Sequence, residues 1–151
     1  VPPEQPVLVV FMLNPSDADA VKNDPTVLAL MEFCRRFNRS GLLIGNLYDL
    51  RSSSPSAITN ALNDGRPVSE RNDEYLRVLA RLDKAVVCAW GAFNPGKAHI
   101  ETHRARIRTV HSIIRGAGSI PVALEINADG SPKHPLYIKR DARPVAWELN
   151  V

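Results

Sequence analysis

At 151 residues, with 44% hydrophobic and 23% charged side chains, the chain has the size and composition of one soluble globular domain spanning residues 1–151. No window reaches the roughly 20 apolar residues that a bilayer-crossing helix needs, and the opening VPPEQPV lacks the basic start and apolar core of a signal peptide. A net charge of +3 and a pI of about 9.1 permit a nucleic-acid partner without demanding one.

Val7 to Leu13 is a continuous apolar run and predicts a strand buried on both faces. Asp24-Pro25 has the form of a helix start, with Asp at the N-cap and Pro in the first turn. That helix is expected to run to about Asn38, with Val27, Leu30, Met31, Cys34 and Phe37 on its inner face. Leu42 to Leu47 is a second strand. The polar segment RSSSPSAITNALNDGRP follows, with a helical turn expected after Pro55. Ser69 opens a helix over about Glu70 to Arg81, with Tyr75, Leu76 and Leu79 inward. KAVVCAWG is the third strand, and a helix over Lys97 to Arg115 carries the stripe Ile100, Ile107, Val110 and Ile114. IPVALEI is the fourth strand. The remainder is expected to be an irregular tail with a turn at Asp129-Gly130. Cys34 and Cys88 fall in a helix and a strand, outside any C-x-x-C pair, and are expected as reduced core thiols in a reducing, cytoplasmic setting.

Apolar strands alternating with helices predict an α/β fold: a four-stranded parallel sheet with helices on both faces, three layers in all. Such sheets bind ligands beyond the carboxyl ends of their strands. The rule gathers the Asn14 turn, the Asn46 loop, the Gly91 loop and the segment after Ile126 at one edge.

Each of these segments admits two readings. Asn14-Pro15-Ser16 is a turn followed by a capping pattern, with Ser16 at the cap and Asp19 three residues on; or Asn14 orients a water or a ligand. Asn46 makes local backbone bonds, or its amide reads the edge of a nucleobase, with Tyr48 either packed under the loop or stacked on a ring. Trp90 is expected in the core. His134 lies between Lys133 and Pro135 in a loop stiffened by prolines, where a fixed imidazole is useful as a donor or acid. Leu136 and Tyr137 in front of Lys139 and Arg140 have the composition of a wedge into a base stack.

Other chemistries are weaker. His99 and His103 are four apart on one helix, as a metal pair would be, but the motif is not H-E-x-x-H. Asp17, Asp19, Asp24 and Asp49 could bind a divalent cation for phosphoryl chemistry. No G-x-S-x-G elbow, Walker A sequence or G-x-G-x-x-G is present.

In this order, MLNPS, LLIGNL, VVCAWG and KHPLY resemble the motif series of the uracil-DNA glycosylase superfamily. Nearly the whole chain is similar to a bacterial and phage family with the MLNPS…GNLY…AWG…HPLY pattern. The resemblance implies a glycosylase-like fold and a metal- and cofactor-free enzyme that flips a damaged or modified base out of DNA and hydrolyses its N-glycosidic bond. It implies water positioning by Asn14, or by Asp17 or Asp19 nearby, and base recognition by Asn46 with Ser16, Tyr48 and Phe93 as further base contacts. His134 would act on the leaving base, and Leu136 or Tyr137 would enter the duplex. Arg51, Lys133, Lys139 and Arg140 would anchor phosphates. Met12 stands where the superfamily has Gly, and H-P-L-Y replaces H-P-S-P, which points away from uracil itself as substrate. The expected partner is DNA, modified phage DNA in a defence role included, and the expected state is a monomer without a membrane partner. Two alternatives stand beside this reading. One is a metal-dependent phosphodiesterase or nucleotide hydrolase built on Asp17, Asp19 and Asp24. The other is a non-catalytic nucleic-acid binder.

Overall fold

A computed structural model of the chain describes residues 6–15, 24–51, 54–65 and 70–149. Strands β1 (Leu8–Met12), β2 (Leu42–Asn46), β3 (Ala85–Cys88) and β4 (Ile120–Ala123) are mutually parallel. Helices α1 (Pro25–Arg36), α2 (Ser56–Asn63), α3 (Glu70–Ala80) and α4 (Ile100–Gly116) connect them. All five residues of β1 are buried, because the sheet is covered on both sides. Leu8, Val10 and Met12 pack with Leu30, Phe33 and Cys34 of α1. Val9 and Phe11 point the other way, into a core built with Ile58, Leu76, Ile107, Val110 and Ile114 of the other three helices. Cys34 and Cys88 are both buried free thiols.

The sheet departs from expectation at its edge. It has five strands in the order β2-β1-β3-β4-β5, and β5 (Val145–Ala146) runs antiparallel to β4. The four-stranded, all-parallel sheet is therefore corrected to a mixed one. Two exposed residues give no periodicity to read, and the tail is held by contacts distant in sequence. Trp147 stands edge-on to Trp90 with ring centroids 5.1 Å apart, and its indole N–H donates to the Gly130 carbonyl at 2.9 Å.

Two helix faces also turn out differently. Phe33, with Ala29, takes the buried place expected for Met31, which is 43% exposed. Val27, Leu30, Cys34 and Phe37 define a stripe that either neighbour could flank, and the aromatic ring fills more space against the sheet. Tyr75 is likewise outward, while Leu76, Leu79 and Ala80 are buried. Gly45 explains how closely α3 sits. A Cβ there would lie 2.5 Å from Leu76 Cδ2 and 3.0 Å from the Phe11 ring, so only glycine lets the helix seat on the end of β2.

Candidate functional site

Because β1 to β4 are parallel, the loops that leave their carboxyl ends meet at one edge. There they line a cleft of about 1010 Å³. Asn14, Asn46, Phe93 and His134 all face it, with Arg51, Lys133, Leu136 and Tyr137 around them and Trp90 in its wall. Asn14 and His134 are 120 residues apart in the chain, and the sheet rule alone placed them together.

His134 is held by a frame of short bonds. Lys133 N–H donates to the Glu125 carbonyl at 2.9 Å, Gly91 N–H donates to the Pro132 carbonyl at 2.8 Å, and Ile126 bridges Pro132. Gly91 has φ +76, a conformation that favours glycine, so the AWG glycine makes the turn that brings its N–H to the Pro132 carbonyl beside the histidine loop. His134 then caps the 3-10 turn Pro135–Tyr137: its Nδ1 accepts from Leu136 N–H at 3.2 Å. An acceptor Nδ1 on a neutral ring puts the proton on Nε2. Partial burial lowers the His134 pKa below its ordinary value, against an opposing pull from the Asp24 carboxylate. The ring is thus a neutral donor at physiological pH. Leu136 is 40% and Tyr137 72% exposed beside it.

Asn14 follows β1, and its Nδ2 donates to the Leu50 carbonyl at 3.0 Å, which ties the first strand end to the loop after β2. Asn46 is the last residue of β2, in register with Met12. Its carbonyl accepts from Asn72 Nδ2 at 2.9 Å, and its side-chain Oδ1 is buried without a hydrogen-bond partner. A buried acceptor left unmatched costs about 1–3 kcal/mol, and this one belongs to a residue that lines the cleft.

Tyr48 does not reach the cleft. Leu47 and Tyr48 continue the ladder to Met12 and Leu13, which turns the Tyr48 ring inward. Its hydroxyl, with a pKa pushed up to about 12 by burial, shares a hydrogen bond with His103 Nδ1 at 2.8 Å. Phe93 stands edge-on to the same imidazole at 5.1 Å and lines the cleft, as Trp90 and Tyr137 do. The cations divide as well. Arg51 is exposed at the cleft, and Lys133 lines it while paired with Glu125 at 2.8 Å. Lys139 and Arg140 lie outside the cleft lining. Arg140 pairs with Glu32 at 2.8 Å and covers the Phe33 ring, so it clamps the tail to α1 instead of facing a ligand.

Ser16, Asp17 and Asp19 lie outside the described residues. Asp24 is the expected N-cap: its Oδ1 accepts from Thr26 N–H at 2.8 Å, and the residue also lines the cleft. Asp49 is exposed and lines a different groove. His99 and His103 do not converge, since His99 Nε2 meets Asn63 Oδ1 at 2.5 Å while His103 is buried against Tyr48. Among the described residues no helix is long and apolar enough to cross a membrane.

Residues 2–136 match one family model, described as a protein of unknown function. The chain belongs to the DUF1643 family. No curated protein and no solved structure matches it. The DUF1643 match takes in β1 to β4 and the loop as far as Leu136, and so the cleft residues from Asn14 to His134.

Sequence reasoning missed what supports this cleft from behind. Arg106 is 7% exposed and donates from Nε to the Leu47 carbonyl at 2.6 Å. Its Nη1 lies 2.7 Å from Asp73 Oδ1, an ion pair by distance without hydrogen-bond geometry. Asn127, also in the cleft wall, is bound to Ser131. Only the interrupted apolar stripe of α4, with His103 and Arg106 at inward positions, hinted at a buried polar layer.

Proposed function

We propose that the DUF1643 chain is a glycosylase-like enzyme that flips a modified or damaged base from DNA and hydrolyses its N-glycosidic bond. The observation that supports it best is the meeting of Asn14, Asn46 and a Nε2-protonated His134 in one cleft, next to Phe93 and below the exposed Leu136 and Tyr137. Each has a part. Asn46 Oδ1 accepts from a donor on the edge of the flipped base, a bond that also satisfies that buried acceptor. Phe93 offers it an aromatic surface. Leu136 or Tyr137 fills the gap in the stack, and Arg51 holds a phosphate.

As the C1′–N bond breaks, its electron pair goes to the base and positive charge grows on the sugar. The His134 Nε2–H bond to the base strengthens as that negative charge develops, which is the differential binding that catalysis needs. Asn14 orients the water that adds to C1′, and the proton that this water loses passes to solvent. The breadth of the cleft, about 1010 Å³, suits a base carrying a substituent, and modified phage DNA is a substrate of that kind.

The test is a panel of duplexes with different modified bases, incubated with the protein in the presence and absence of EDTA and analysed for free base and alkali-labile sites. Release of a free base from at least one duplex is expected. Strand breaks without free base, abolished by EDTA, would instead favour the metal-dependent phosphodiesterase reading.

A further inference from the structure

We propose that the groove between α2 and α4 is a second ligand site, shaped for a small apolar ring or chain that carries one oxyanion. The groove has a volume of about 470 Å³, inside the roughly 300–1,000 Å³ of ordinary ligand pockets. Tyr48, Leu50, Ile58, Leu62 and Ala105 supply apolar walls, and Arg106 lines it too. None of the cleft residues takes part, so the two sites are separate.

Arg106 says what the ligand must bring. Its Nε and Nη1 are engaged by Leu47 and Asp73, but Nη2 is buried with no partner. A desolvated guanidinium N–H without an acceptor is costly, and an oxyanion is the acceptor that it binds most strongly. The surrounding charge agrees. Arg106 is the one cation lining the groove among the described residues, and Glu101, the acid of α4, lies outside the lining and is engaged by Arg104 and Arg108. Asp49, the one acid lining the groove among the described residues, is solvent-exposed and therefore screened.

The groove is also joined to the cleft. Leu50, in its wall, offers its carbonyl to Asn14 Nδ2 at 3.0 Å. An occupant pressing on Leu50 therefore moves the amide that the cleft uses. This holds whether or not the cleft cleaves glycosidic bonds.

The experiment is a titration of the folded, isotope-labelled chain with 1-naphthalenesulfonate, followed by amide NMR. Saturable shifts are expected at Leu50, Ile58, Leu62 and Ala105 and at the Asn14 side-chain amide. The neutral 1-naphthalenemethanol should bind at least tenfold more weakly. Ala105→Trp, a substitution at an exposed position of α4, should fill the groove and weaken the sulfonate at least tenfold while the thermal midpoint holds. Equal binding of the two compounds, indifference to Ala105→Trp, or shifts confined to Asn46 and His134 would overturn the site. Groove shifts with an unmoved Asn14 amide would overturn its link to the cleft.

Discussion

At the scale of single residues, the account rests on the protonation of one histidine. A second proton on His134 would sit on Nδ1 and break the bond that Nδ1 accepts from Leu136 N–H, the contact that holds the ring in place, and partial burial lowers the pKa of the ring below the ordinary 6.5. Activity should therefore be full at neutral pH and fall as pH drops through a midpoint below 6.5, where the ring takes a second proton. Asp24 opposes that lowering, so Asp24→Asn should move the His134 midpoint further down, read directly by NMR titration. Asn caps a helix about as well as Asp, so this variant should keep its thermal midpoint, whereas Asp24→Ala should lose about 1 kcal/mol. An unmoved His134 titration in Asp24→Asn would separate the two groups. Asn14, Asn46 and His134 were legible in the sequence because each stands just past an apolar run or a fixed proline, where the parallel-sheet rule assigns a position. Tyr48 was not. Whether an aromatic two residues beyond a strand faces cleft or core depends on His103, 55 residues further on.

At the scale of elements, the polar layer between the loop after β2 and α4 holds the floor of the cleft. His103 is 3% exposed, and burial lowers its pKa to about 4. The unfolded chain, with an ordinary histidine near 6.5, takes up its proton first as pH falls. Stability from keeping His103 neutral is thus complete above about 6.5 and lost progressively toward pH 4, a window that urea midpoints across pH should reveal. Tyr48→Phe leaves His103 Nδ1 buried without its partner and should cost about 1–3 kcal/mol, seen as a lower urea midpoint at unchanged slope. The four longer strands were legible from their apolar runs, and α1 from Asp24-Pro25. β5 was not, because its two exposed residues follow from how Trp147 docks on Trp90.

At the scale of the whole molecule, the fold separates cations that look alike in sequence. Arg51 stands at the cleft, while Arg140 fastens the tail to Glu32 and Phe33. Arg51→Ala should weaken DNA binding and reduce the salt slope of the binding constant by about 1. Arg140→Ala should leave that slope alone and lower the thermal midpoint. The difference lies in a partner 108 residues away, which no local pattern encodes. The central claim is that Asn14 and His134 carry out base excision together. Its most direct measurement is the yield of abasic sites from modified-base duplexes with wild-type protein, Asn14→Ala and His134→Ala. The account predicts alkali-labile sites on at least one duplex, with the rate falling about 100-fold or more in each variant. No abasic sites on any duplex, or rates unchanged in both variants, would contradict it.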